Sequence, residues 1–445
     1  MKKIFFIAAC FAAISTAHAQ VPYQAVPEGY GAAATGGGTA APVIVSDFAS
    51  LRTNLTAAGP RVILVSGVIN IPANQQISAV ISNKSLIGLP GAKLVNENLS
   101  GSGILNLKNG SNNIIIRNLV FVGPGAYDNN GQDNLTNQGG TNVWIDHCEF
   151  QDGQDGNLDN VGQSDNITIS WNKFTYLKPP VPGGSGGSND HRFSNLVGSS
   201  ATDKPADGHY SITYQSNYWG EGTRERMPRA RNAQLHILNS YYHTSVPGAV
   251  GIGLGGGVSN STVFVENTHF AKISSYFKNY VSSDGGSIAI NFVNSLTGTS
   301  LVPGSMNIGT VSPPNYAYTV MPVADVAKYV ADVTCGAGAT LQVSTAGVIT
   351  PGQCTNMGTA NISNAALKLY PVPVKDILNI EVPGVKSSSM LVEIYAADGK
   401  KVFTSSAPKM SGNRLNVNIG HLPKGAYYGR LQQGDRSFPL NFIKE

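Results

Sequence analysis

The run Val143-Trp144-Ile145-Asp146-His147-Cys148-Glu149-Phe150 decides the fold, because it recurs. Ile114-Ile115-Ile116-Arg117-Asn118-Leu119-Val120-Phe121 precedes it, and Ile167-Thr168-Ile169-Ser170-Trp171-Asn172-Lys173-Phe174 follows it. Each run has apolar residues at its first and third positions, then a turn with Asn or a polar substitute, then an aromatic. Further copies run from Ile212 to Trp219, Leu235 to Tyr242, Val263 to Phe270 and Ile288 to Ser295. Their starts lie 23 to 29 residues apart, except for one step of 45 between Ile167 and Ile212. Alternation turns one face of each strand inward, and a repeat of this length is one coil of a solenoid whose coils bury those faces jointly. The long step holds its surplus in Pro179-Pro180-Val181-Pro182-Gly183-Gly184-Ser185-Gly186-Gly187-Ser188, a loop inserted into one coil. Asn recurring at the turns is expected to form hydrogen-bonded ladders. A β-propeller would need four strands in every ~40–45 residues, with a different signature.

Composition agrees with a mostly β chain. The sequence holds 51 Gly and only 13% charged residues, which suits short strands separated by tight turns. A length of 445 residues predicts two folded units plus export segments. Lys2 and Lys3, the apolar run Ile4 to Ile14 and the small residues of Ala17-His18-Ala19 read as a signal peptide over residues 1–19. That run is too short for a bilayer span of ~20 residues, so the mature protein is expected to be soluble, secreted or at the cell surface. Removal of the signal takes away Cys10. Cys335 and Cys354 could then close a loop worth about 3 kcal/mol or remain free thiols, and Cys148 reads as a small core residue. The net charge of +4 is compatible with an acidic polymer as partner. Nucleic acid is not expected, since no Lys/Arg block, zinc-ligand spacing or aromatic RNA-binding signature accompanies the charge.

From about Asn361 the pattern changes to alternating strands, and the chain divides into a β-helix over 20–340, a linker over 341–365 and a small β-sandwich over 366–445. Leu369-Tyr370-Pro371-Val372-Pro373, Val392-Glu393-Ile394-Tyr395 and Gly425-Ala426-Tyr427-Tyr428 carry a resemblance, from Leu369 to Ile443, to the type A C-terminal sorting domain of type IX secretion cargo in Bacteroidota. Val372 stands where that family usually has Asn. The resemblance implies the type IX secretion machinery as a partner; an ordinary carbohydrate-binding or adhesive sandwich is the alternative.

Carboxylates that project from successive turns of a solenoid line one surface, and Asp133, Asp155 and Asp159 fall in such places. Hard oxygen donors of this kind suit Ca²⁺, which keeps positions open for a substrate carboxylate; solvated turn residues are the plainer alternative. Val143 to His147, Asp155-Gly156-Asn157-Leu158-Asp159, Ser164 to Ser170 and Arg224-Glu225-Arg226-Met227-Pro228-Arg229-Ala230-Arg231, in that order, resemble polysaccharide lyase family 1, the pectate lyases, over residues 60–300. The resemblance implies a right-handed parallel β-helix that cleaves polygalacturonate by calcium-dependent β-elimination and leaves 4,5-unsaturated products; a monomer is expected.

By the same resemblance Asp133, Asp155 and Asp159 hold calcium, Arg226 takes the C5 proton and Arg231 binds the substrate carboxylate in bidentate fashion. A guanidinium is an unusual base, with a pKa above ~12, and would act only among neighbouring cations and bound calcium, or through a water. Arg224 and Arg229 are expected to pair with Glu221 or Glu225. A further family acid is Gly131 here, so Asp128 or Asp152 is a candidate fourth ligand. The family's lysine precedes a line that here reads Leu196-Val197-Gly198, where no lysine stands; Lys178 is preferred for its role over His191 and Arg192. His147 and Trp144 are expected to stabilise the coil. Alternatives to the pectate lyase are a pectin lyase acting on methylated pectin, a polygalacturonase-type hydrolase, which would need paired carboxylates, and a surface β-helix that only binds polysaccharide.

Overall fold

The structure is a computed structural model that describes residues 23–127, 133–184, 188–354 and 368–445, apart from 382–389, 397–399, 406–409, 412–413 and 434–435. These residues fall into two compact units, divided between Cys354 and Thr355.

The first unit is the expected parallel β-helix. Each coil contributes one strand to each of three sheets. The first sheet has ten strands, from Pro42–Val45 to Ile288–Val293; the second has ten, from Val68–Asn70 to Ser300–Leu301; the third has eight, from Ile77–Ala79 to Ser275–Asn279. Pairing is parallel and in register, as in Ile114↔Val143↔Ile167↔Ile212↔Leu235↔Val263, except that the last strand of the second sheet, Ser300–Leu301, pairs antiparallel with Leu296–Thr297. Asp165–Ser170 pairs directly with Tyr210–Gln215, so the described part of the Pro/Gly insertion, residues 179–184 and 188, lies outside the first sheet; residues 185–187 are outside the described residues. The last row differs from the sequence alignment: Val263 pairs with Ile290, not Ile288. Ile288, Ile290 and Phe292 alternate with period two, and a slip of two residues keeps the same side chains inward.

One left-handed residue per coil turns the chain from the first sheet into the second. Asn118, His147, Trp171, Ser216, Asn239, Asn267 and Asn294 all have φ between 44° and 56°. Asn tolerates this region best, yet one coil places His there and another Trp. His147 is held by its contacts: it stacks on Trp171 at 5.6 Å and its Nδ1 lies 2.7 Å from Asp146 Oδ2. Arg117 also meets Asp146, at 2.7 Å, and Trp144 Nε1 donates to Ser170 at 2.8 Å. His147 and Trp144 therefore belong to the wall of the solenoid.

Just inside that corner runs a polar ladder. Asn172 Oδ1 accepts from the Cys148 amide at 2.9 Å, Asn217 Oδ1 from the Asn172 amide at 3.0 Å, and Ser240 Oγ from the Asn217 amide at 3.3 Å. Beside it the rings of Phe121, Phe150, Phe174, Trp219, Tyr242 and Phe270 stack one per coil, with centroids 4.5–5.6 Å apart. That spacing is near the strand separation of ~4.8 Å, so pairing and stacking reinforce one another. Burial pushes the Cys148 thiol up from its ordinary pKa, and it is a core residue.

The helix Phe48–Thr56, which the β-rich composition does not suggest, sends Leu51 and Leu55 into the same core as Ile63 and Val65. Residues 341–354 are folded onto the β-helix rather than forming a linker. Gln342–Val343 pairs with Ile349–Thr350, Leu341 exchanges two hydrogen bonds with Asn118, and Cys335 and Cys354 form a disulfide. The second unit is the expected sandwich: two four-stranded antiparallel sheets enclose a core that includes Leu378, Ile380, Val392, Ile394, Leu415, Val417, Leu431 and Phe442.

Replacing Asn172 with Ala leaves the buried Cys148 amide without its acceptor, which should cost about 1–3 kcal/mol. Thermal unfolding of this variant should move to lower temperature, and an unchanged midpoint would show that the ladder does not carry stability.

Candidate active site

The third sheet carries the acids and the arginines. Leu135 pairs with Leu158 and Thr136 with Asp159; Asn160 pairs with Val197, and Leu196 pairs with Arg229. Register thus collects residues from four successive coils at one edge. Inward residues set the outward ones: Met227 and Ala230 are fully buried, so Arg226, Arg229 and Arg231 emerge on the surface. Arg226 has φ 60°. Its carbonyl accepts from the Asn195 amide at 2.7 Å and the next amide, Met227, donates to Gly251 at 3.0 Å, so both neighbouring coils hold this conformation.

Asp133 and Asp159 converge over Gly156. A Cβ on Gly156 would lie 2.6 Å from Asp133 Oδ1 and 3.2 Å from Asp159 Oδ1, so only glycine leaves this space. Thr136 donates to Asp133 Oδ2 at 2.7 Å and the Leu196 amide to Asp159 Oδ1 at 2.8 Å. Asp133 Oδ1 is buried with no hydrogen-bond partner among the described residues. Burial, followed by the charge of Asp155, raises the Asp133 carboxyl to about 7, against the pull of Thr136 and Arg226. Asp159 is raised as well, by burial and then by Asp133, while Arg226 opposes the shift. Two buried carboxylates with a bare oxygen between coils form an oxygen-donor set that fits a hard cation.

Asp155 is placed differently. Its Oδ1 meets His191 Nε2 at 2.8 Å, and the His191 ring lies 4.2 Å from Phe193. Among the described residues no group of three or more His, Cys, Asp or Glu side chains is drawn together as a ready-made metal cage. Asp152 Oδ1 accepts from the amides of Leu177 and Lys178 at 2.7 and 2.9 Å, so it caps a turn instead of joining Asp133. Asp128 lies outside the described residues.

Arg226 lies over the Phe193 ring, 4.7 Å from its centroid. Lys178 does not join it: its ammonium reaches Glu97 at 3.2 Å and the Gly123 carbonyl at 3.1 Å, because the turn held by Asp152 directs it there. Arg192 grips Asp190 in a bidentate pair at 2.7 and 2.6 Å. Of the three candidate cations, His191 is the one bonded to a site acid. Arg224 donates to the Asp190 carbonyl at 2.8 Å and approaches Glu225 at 4.0 Å. Arg229 pairs with neither Glu221 nor Glu225 but with Asp284, at 2.7 Å, and Arg231 Nε reaches the same carboxylate at 3.2 Å.

Sequence reading missed Tyr176, Phe193 and Asp284. Burial raises the Tyr176 phenol first, and then Asp133, Asp155 and Asp159 do, so Tyr176 lies amid the acids. Its position two residues after the stacked Phe174 was a usable signal, whereas Asp284 follows Arg229 by 55 residues and nothing local marks it.

A family model described as pectate lyase matches residues 4–340 of the chain, and one described as a secretion system C-terminal sorting domain matches 368–445. Among curated proteins the chain is similar to a pectate trisaccharide-lyase of Thermotoga maritima, 34% identical over 232 residues that make up 50% of this chain and 56% of that protein. It is also similar to pectate lyase A of Aspergillus niger, 34% identical over 206 residues, 44% of this chain and 56% of that one. The chain spans about half the length of the curated relatives it matches. Among solved structures, a variant of a Bacillus subtilis pectate lyase superimposes with a TM-score of 0.54 at 20% identity, over 73% of this chain and 99% of that one. A Paenibacillus pectate lyase gives 0.53 at 19% identity, over 71% and 96%. These likenesses establish the fold.

A carboxyl raised from 3.8 to about 7 takes up a proton on folding between those values. Stability therefore falls as pH rises through that window. In metal-free protein, wild type should lose more stability than Asp133→Asn between pH 5 and pH 8, read as the difference in thermal midpoints; equal losses would contradict the upward shift that burial and Asp155 give the Asp133 carboxyl.

Proposed function

Because the chain belongs to the pectate lyase family, whose model covers residues 4–340, we propose that it cleaves α-1,4-linked polygalacturonate by calcium-dependent β-elimination. The observation that carries this reading is the convergence of Asp133 and Asp159 on Gly156 with Arg226 acting on both. A polyanion needs counter-charge to approach these acids, and the acids need a cation to remain ionised together. Bound calcium, with Asp133, Asp155 and Asp159 as its protein ligands, would join the acids to the substrate carboxylate and withdraw charge from it.

Arg231 orients a galacturonate carboxylate, and Arg226 faces C5. The C5–H bond breaks and its proton passes either to Arg226, once neighbouring cations have driven a proton from its guanidinium to solvent, or to a water that Arg226 orients. The electron pair forms the C4–C5 double bond, the C4–O bond breaks, and the departing glycosidic oxygen takes a proton from solvent water. Arginines fixed before reaction stabilise the charge that spreads into the C6 carboxylate. Phe193 holds the Arg226 guanidinium by its ring face. His191, through Asp155, is the favoured further positioning group, and Lys178, beside Glu97, is assigned to attraction of the polymer.

Residues 1–19 serve as an export signal, and the sorting unit directs the chain through the type IX machinery, so the enzyme works outside the cell or on its surface.

On polygalacturonate with calcium, the wild type should generate ultraviolet-absorbing unsaturated product, and chelation should abolish it. Arg226→Ala should lower kcat by about 10²–10⁴-fold. Activity indifferent to chelator would remove the calcium assignment, and activity confined to methylated pectin would make the enzyme a pectin lyase.

A further inference from the structure

The group that holds Arg231 comes from beyond the coils of the motif. Strand Arg229–Ala230 pairs with Val250–Leu254, matching Arg229 to Gly253, and that strand pairs in turn with Ser275–Asn279. The glycines of Gly251-Ile252-Gly253-Leu254-Gly255 remove side chains from the outward face here. A Cβ on Gly253 would lie 2.9 Å from both Arg229 Cδ and the Tyr280 ring, and one on Gly255 only 2.1 Å from Asp284 Oδ2. Tyr280 and Asp284 occupy the cleared space. The Tyr280 ring centroid is 3.5 Å from the Arg229 guanidinium carbon. Asp284 receives Arg229 Nη2 on both oxygens, at 3.0 and 2.7 Å, and Arg231 Nε on one, at 3.2 Å. Arg231 Nη1 donates to the Gly198 carbonyl at 2.8 Å.

We infer that Asp284 is a positioning residue for substrate binding: it locks the Arg231 guanidinium between two coils so that its remaining N–H donors meet a uronate carboxylate already oriented. This rests on the reading of Arg231 as the carboxylate ligand. Charge supports it. Two guanidiniums share one carboxylate, which leaves one positive charge for one substrate carboxylate to match. Preorganisation supports it too, since a free arginine side chain loses rotamer entropy on binding and a clamped one has lost it already. Arg229 is then the structural partner, held by Asp284 and Tyr280, and Arg231 the one presented to the ligand.

Charge neutralisation alone makes the opposite prediction. Removing Asp284 would then leave the arginines more positive and tighten binding of a polyanion. Positioning predicts that Asp284→Asn raises KM for polygalacturonate about tenfold, the size of a lost charged hydrogen bond, with kcat within about twofold of wild type. Gly255→Ala, which displaces the carboxylate while keeping its charge, should raise KM likewise. In an Arg231→Ala background Asp284→Asn should add nothing further, because its effect passes through that side chain. A KM that falls or stays unchanged in Asp284→Asn, or an undiminished effect in the Arg231→Ala background, overturns the inference. Should Asp284→Asn not fold, Asp284→Glu keeps the charge and moves it by one methylene, and a wild-type KM there is equally decisive. If wild type forms no unsaturated product, the lyase reading fails instead. Asp284 is then judged by calorimetric affinity for a galacturonate oligomer, expected to fall about tenfold in Asp284→Asn; an unchanged affinity overturns it.

Discussion

Parallel pairing in register between successive coils fixes where every side chain of the site stands. Each coil lifts the chain by one strand spacing, ~4.8 Å, so residues far apart in sequence become neighbours in a column. Thr136, Asp159, Leu196 and Arg229 occupy one such level on the third sheet. The register is held at the opposite corner, where the left-handed turn residues, the polar ladder and the ring stack each repeat once per coil. A slip of one residue would reverse the facing of every strand. It would bury the arginines and expose Met227 and Ala230. The features that stabilise the coil and those that build the site are thus consequences of one spacing.

That spacing also creates the electrostatic tension of the site. Acids on adjacent rungs cannot move apart without breaking the sheet, and Gly156 lets them come closer still. Burial first, and then the charge of Asp155 on Asp133 and of Asp133 on Asp159, pushes both carboxyls upward. Arg226 relieves part of this, and a hard cation would relieve the rest. A ligand that brings its own carboxylate would need positive charge at the same place. The strain is tolerable because the core below it is continuous, from Leu51 at one end to Phe292 near the other.

The repeat made the fold legible, since Ile145, Ile169 and Ile237 alternate with residues of the outer face and each coil carries an aromatic at the same place. It also exposed the looped insertion. Ambiguity appeared where alternation alone was the guide, as at Ile288 and Ile290, where a two-residue shift preserves the pattern. That Asp133, Asp159 and Arg226 come together was readable because each stands in a local motif. Lys178 was not, because its direction depends on Asp152, which holds the backbone after Tyr176. Asp284 was invisible for the converse reason: it reaches Arg231 from two coils on, through space cleared by Gly253 and Gly255.

Elimination and hydrolysis differ in whether water enters the product. A galacturonate oligomer cleaved by this protein in water enriched in heavy oxygen, with calcium present, separates the two by mass spectrometry. β-Elimination by Arg226 predicts fragments whose masses sum to that of the substrate, with no heavy oxygen at the new ends. Fragments heavier by one labelled water would contradict it and make the protein a hydrolase on a lyase fold.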